Sequence, residues 1–259
     1  MKTIKSVYQF TGVGIHTGQE STVTISPSKE SGIVLNGFVM NPRTLIYGEM
    51  STQTITGIRT VEHLLGYLNL KGIDSVTIEV NGKEIPILDG GAKEFNEVIE
   101  TESFIPNVDL IPYSISERRR YVHPYCNMID YMELNSPPEE NITIRSSRME
   151  INEILNDLDS LFNARTFVWE STLERLKMIP RIGLGAVANN NFSIITKENY
   201  QEHRADIIRH KLLDFFGDLT GVLHCIPKDC SLRLINPGHE KNLRFAGQLF
   251  SSSKPRSDQ

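Results

Sequence analysis

Between residues 202 and 221 the chain reads EHRADIIRHKLLDFFGDLTG. Ile207, Ile208, Leu212, Leu213, Phe216 and Leu219 recur there at helical spacing and predict one long amphipathic helix over 202–224. The same segment carries His210, Asp214 and Asp218 at i, i+4 and i+8. That spacing stacks them on consecutive turns, a polar stripe beside the apolar one. Such a stripe is either a solvated ladder of hydrogen bonds or half of a metal site. One helix face cannot complete a catalytic zinc site, which takes three protein ligands and keeps a position open for water.

Elsewhere the pattern alternates. STVTISPS (21–28) and SVTIEVNGKEIPIL (75–88) have period two and predict half-buried strands, the second folded into a hairpin at Asn81-Gly82. TVEHLLGYLNLKG (60–72) returns to helical spacing and stops at Gly72. AKEFNEVIE (92–100) and MEINEILNDLDSLFN (149–163) predict further helices, and NITIRSS (141–147) and CSLRLINPG (230–238) further strands. FIPNVDLIPY (104–113) carries two prolines and no periodicity, which places a boundary between an N-terminal domain, 1–108, and a C-terminal domain, 109–259. Strands and helices mixed without a regular βαβ rhythm indicate the α+β class.

Composition narrows the function classes. At 259 residues the chain can bury one large core or two ordinary ones. A formal charge of −5 supplies no basic patch for phosphate neutralisation, so nucleic acid is not expected as a partner. No stretch approaches the ~20 apolar residues of a membrane span, and the first residues lack a signal-peptide core. Cys126, Cys225 and Cys230 are odd in number and show no CxxC spacing. They read as the reduced thiols of a cytoplasmic protein.

Several short segments carry candidate chemistry. Glu62 and His63 stand together at the start of a predicted helix. They could offer a third metal ligand and a proton acceptor, or Glu62 could be a first-turn glutamate favoured by the helix dipole. Asp89 in ILDGGAKEF and His239 in INPGHEKN sit beside glycines after strand-like runs, where loops carry function. Thr166 in ARTF offers a hydroxyl after a helix. GVGIHTG is glycine-rich but lacks the lysine of a phosphate-binding loop.

Taken in order, TGVGIHTG (11–18), TVEHLLGYLNLKGIDSVTIEVNGKEIPILDG (60–90), ARTF (164–167), RHKLLDFFGDL (209–219) and GHEKN (238–242) resemble the zinc-dependent UDP-3-O-acyl-N-acetylglucosamine deacetylases of lipid A biosynthesis. The resemblance implies two layered α/β-sandwich domains with the active site in the cleft between them. A β-α-β insert at about 166–196 would hold the acyl chain. It also implies that His63, His210 and Asp214 hold zinc, an N,N,O set that admits iron(II) as well. Glu62 would take a proton from water, Thr166 would meet the oxyanion, His239 would protonate the leaving amine, and Asp218 would orient His239. Lys211, Phe167 and Asp89 would line the site for a UDP-linked acylated glucosamine. Beside a span 113–150 without the alternating strands expected there and a first domain that is short between residues 36 and 60, two further features depart from the family pattern: LINP stands where a lysine commonly precedes the Gly-His, and an asparagine run fills 189–191. Both bear on substrate, which keeps a zinc amidohydrolase for another acylated amino sugar as an alternative. A zinc-clamped binding protein without turnover is a second, although a structural zinc needs neither Glu62 nor His239.

Overall fold

A computed structural model of the chain describes residues 1–104, 143–146, 156–170, 191–223, 232–235 and 237–252. Strands β1 (Lys2–Ile4), β2 (Tyr8–Val13), β3 (Glu20–Pro27), β4 (Gly32–Leu35), β5 (Phe38–Val39), β6 (Leu45–Tyr47) and β7 (Thr52–Thr54) precede helix α1 (Glu62–Leu70). Then come β8 (Ser75–Asn81), α2 (Lys93–Val98), β9 (Thr101–Ser103), β10 (Thr143–Ser146), α3 (Leu158–Phe162) and β11 (Phe167–Trp169). The order ends with β12 (Ser193–Ile195), α4 (Tyr200–Asp218), β13 (Leu232–Ile235) and α5 (His239–Ser252). The fold is α+β.

A five-stranded sheet in the order β2-β3-β8-β4-β5 forms one layer. Its pairs are antiparallel except β4 with β8, which run parallel. The alternation that predicted β3 and β8 has its physical cause here. Val23, Ile25, Val76 and Ile78 are fully buried on one face, while Thr22, Thr24, Thr77 and Glu79 take the other. Leu64, Leu65, Tyr67 and Leu68 of α1 join those four residues in one continuous core, which also takes in Leu213, Phe215 and Leu219.

Glycine sets how closely α1 and α4 approach. A Cβ at Gly66 would lie 2.5 Å from the carbonyl oxygen of Leu213, and one at Gly217 would collide with the carbonyl oxygen of Glu62. The two helices therefore touch backbone to backbone at the turns that carry His63 and Asp214.

Two expectations are corrected. No hairpin forms at Asn81-Gly82, because β8 is already paired on both edges, with β3 and with β4. The chain instead leaves the sheet: Glu84 bridges Arg59, and the Ile87 N–H donates to the Val13 carbonyl at 3.0 Å. The long helix ends at Asp218 rather than running to 224, since Leu219 leaves helical backbone and Gly221 turns with φ 84°. The domain boundary at 104–113 from residue 105 onward, residues 171–190 of the insert, the first part of the 149–163 helix and the three cysteines lie outside the described residues.

Candidate active site

The stripe on α4 is not solvated. His210, Asp214 and Asp218 are at most 1% exposed, and Glu62 and His63, from the first turn of α1, are buried opposite them. His63 Nε2 lies 3.5 Å and His210 Nε2 3.4 Å from Asp214 Oδ1. The His210 Nδ1 faces the Ala164 carbonyl at 3.0 Å; a carbonyl only accepts, so the proton sits on Nδ1 and the Nε2 lone pair points to Asp214. Burial first, then the neighbouring His210, pushes His63 down to about 3, and burial likewise lowers His210. Both rings are therefore neutral at pH 7. The His210 Nε2 lone pair, a ring nitrogen of neutral His63 and Asp214 Oδ1, a buried oxygen with no hydrogen-bond partner, come together within 4.8 Å of one another. A carboxylate oxygen buried without a donor, here Asp214 Oδ1, is costly unless a cation lies against it. This donor set fits a divalent metal ion.

Beside it stand His239 and Glu62, a candidate proton-transfer pair. His239 Nε2 is 3.6 Å from Glu62 Oε1, and its Nδ1 is 3.0 Å from Asp218 Oδ2. Burial opposes charge on His239, but the carboxylates of Asp218, Glu62 and Asp214 outweigh it and raise the imidazole to about 9. Burial raises Glu62 to about 8, against the pull of His239. Asp214 is held far below the usual carboxylate range: burial works to raise it, and His210, Lys211, His239 and His63 overcome that.

The family model for UDP-3-O-acyl N-acetylglycosamine deacetylase (LpxC) matches residues 1–251. The chain belongs to this deacetylase family. Curated relatives of the same name extend the match. The one from Aquifex aeolicus is 31% identical over 99% of this chain and 95% of its own length. Those from Thermodesulfovibrio yellowstonii and Geotalea uraniireducens are 29% and 28% identical, each over 97% of this chain.

Within this deacetylase-family chain, the residues singled out in the sequence fall into two groups. His63, His210, Asp214, Glu62, His239 and Asp218 come together as described. His239 is not in a loop, however; it opens α5. A helix N-terminus disfavours a cation there, so the nearby carboxylates must supply what keeps it charged. Phe167 packs edge-on to His210 with ring centroids 6.2 Å apart, and Lys211 Nζ lies 5.4 Å from the Phe167 ring centroid. Lys211 also holds Asp214 Oδ2 at 3.0 Å, so its charge is already engaged by the candidate ligand. Thr166 is anchored by its backbone, its N–H donating to the Gly90 carbonyl at 2.6 Å. The Asp89 carboxylate accepts from the N–H groups of Gly91 and Glu94, a local turn bond; none of its hydrogen bonds reaches the histidine cluster.

Sequence reasoning passed over three residues around this site. Asn242, one turn after His239, donates to Asp218 Oδ2 at 2.8 Å; its i+3 spacing in GHEKN was the available signal. Glu84 is buried and accepts from the N–H groups of His16 and Thr17 and the hydroxyls of Thr17 and Thr60. It ties the GIHTG loop to the residue two before Glu62. Thr52 was hidden in a run of similar polar residues, STQTIT.

Proposed function

We propose that the chain is a metal-dependent N-deacetylase that hydrolyses the acetamide of a UDP-linked 3-O-acyl-N-acetylglucosamine, releasing acetate, in lipid A biosynthesis. The observation that carries it is the unpartnered Asp214 Oδ1 facing two neutral histidine nitrogens beside the Glu62–His239 pair. His63, His210 and Asp214 hold the ion, which suits zinc by its N,N,O donors and supplies Lewis acidity toward the amide carbonyl and toward water. Glu62 takes the proton that water loses on attack, and a cation held at His63 favours its ionised form against burial. The Thr166 hydroxyl donates to the developing oxyanion. His239, charged and oriented through Nδ1 by Asp218, delivers a proton to the departing amine nitrogen as the C–N bond breaks. The products are acetate and the free amine.

The two domains, 1–108 and 109–259, meet at this site, and the 166–196 insert receives the acyl chain. Among the described residues no helix is long and apolar enough to cross a membrane; we place the enzyme in the cytoplasm, where its nucleotide-linked substrate is made.

The test is acetate release from UDP-3-O-acyl-N-acetylglucosamine by zinc-loaded protein, with elemental analysis alongside. About one ion per chain and turnover that a chelator abolishes are expected. His210→Ala should lose both. Full metal content in that variant would overturn the ligand assignment, and acetate release only from another acylated amino sugar would overturn the substrate.

A further inference from the structure

Glu62 and Asp218 come from different helices, yet both present one carboxylate oxygen to His239: Oε1 of Glu62 to Nε2, and Oδ2 of Asp218 to Nδ1. What fixes the other oxygen of each is a single residue. The backbone N–H of Thr52 donates to Glu62 Oε2 at 3.1 Å, and its hydroxyl donates to Asp218 Oδ1 at 2.5 Å. Thr52, Glu62, His239 and Asp218 thus close a ring. Thr52 is fully buried, so water does not compete for either bond.

We propose that Thr52 is the positioning residue that couples the two carboxylates of the proton-transfer pair and fixes the planes in which they meet His239. This rests on the deacetylase reading above. A carboxylate held at one oxygen alone rotates about its last bond, because that torsion is broad and nearly two-fold. Held at both, Glu62 keeps the Oε1 lone pair aimed into the site and Asp218 keeps Oδ2 on the His239 Nδ1–H.

Thr52 is itself rigid. It sits on β7 opposite Tyr47 of β6, and its carbonyl accepts from the Val61 N–H at 3.2 Å, just before α1 begins. Its position is therefore set by the same backbone that presents Glu62. The hydroxyl has one proton to give, and Asp218 Oδ1 takes it. Asn242 supplies the remaining bond on the Oδ2 side. The arrangement makes Thr52 act through the carboxylates of Glu62 and Asp218.

The test compares Thr52→Val, which keeps the branched shape and the backbone N–H but loses the hydroxyl, with Thr52→Ser, which keeps it. Substitutions behind a site of this kind cost about 10- to 100-fold. In zinc-loaded protein, Thr52→Val should lower kcat by that factor per folded molecule with KM within about twofold, and Thr52→Ser should recover most of the loss. The ring nitrogen resonances of His239 should shift in the valine variant and return in the serine one. Thr52→Ala serves if the valine variant does not fold. Wild-type kcat and unshifted His239 resonances in any folded variant lacking the hydroxyl would overturn the proposal. Glu62→Gln and His239→Ala, run in parallel, separate this from failure of the functional reading. If those two turn over like the wild type, the reading fails, and the His239 resonances still decide whether Thr52 positions the ring.

Discussion

At the residue scale the site is a contest between burial and charge, and His239 shows which wins. Burial and its place at the start of a helix both oppose protonation, but three carboxylates raise it from an ordinary 6.5 to about 9. A group with a raised value stays protonated at neutral pH and loses its proton as pH climbs through about 9. In the proposed role of general acid, His239 should therefore impose an alkaline limb on the kcat/KM profile at or below that pH, since a cation held at His63 and Asp214 lowers its value. His239→Ala should flatten the limb and cost about 10²–10⁴ in turnover, the usual worth of one proton-transfer group. Glu62→Gln should lose a similar factor while retaining its metal, since Glu62 lies outside the donor set. An unchanged alkaline limb in His239→Ala would remove it from the acid role.

The element scale is where sequence pattern spoke most clearly and where it stopped. Long periodic segments announced β3, β8, α1 and α4, because each buries one face and the period repeats. Strands such as β5 and β6 span two or three residues, too few for any period to show, and their pairing partners hold them in place. The expected hairpin at Asn81-Gly82 failed for a related reason: a turn signal is local, whereas the edges of β8 were claimed by strands far away in sequence. The cluster of His63, His210 and Asp214 that could hold a metal was legible because two of its members share a helix at i, i+4. Thr52 was not, since its hydroxyl partner lies 166 residues further on.

Helix contact also makes a prediction. At Gly217 even one methyl group would collide with the Glu62 carbonyl. Gly217→Ala should therefore force α1 and α4 apart, at a cost of about 1–3 kcal/mol or more in chemical unfolding. Because the displaced residue is Glu62, kcat should fall further than the loss of folded protein explains. Normal turnover in the folded fraction would mean the helices adjust without moving the base. Glu84 offers a second case. Glu84→Ala leaves the donors of His16, Thr17 and Thr60 without their acceptor, at ~1–3 kcal/mol for each that stays dry, and a loss of about 2–4 kcal/mol is expected in the same measurement. A change under about 0.5 kcal/mol would show that water replaces the carboxylate, the ordinary outcome for an exposed site.

At the scale of the whole molecule, the proposed chemistry and the proposed acyl-chain contacts fall in different parts of the chain. The candidate acid-base and ligand residues lie on α1, α4 and α5, locked together through glycine contacts and buried hydrogen bonds. The acyl chain is expected at 166–196, where Ile182, Leu184, Val187, Phe192 and Ile194 keep the sequence apolar despite the asparagine run. Of these, Phe192 packs with Ile15 and Ile87, with Val168 and Ile194 against them, an apolar cluster separate from the main core. Each methylene removed from water stabilises binding by about 0.8 kcal/mol. Shortening the acyl chain by ~10 methylenes should therefore cost several kcal/mol of transition-state binding if the passage takes them in, at the same coefficient. If the asparagines and the absent lysine bear on the polar end of the substrate, they should raise KM more than they lower kcat. The measurement is kcat/KM across a series of acyl lengths at fixed zinc. A steep rise with length fits an apolar passage. A flat series would mean that the insert no longer reads the acyl chain, and the alternative, an amidohydrolase for another acylated amino sugar, would then have the better claim on the same catalytic residues.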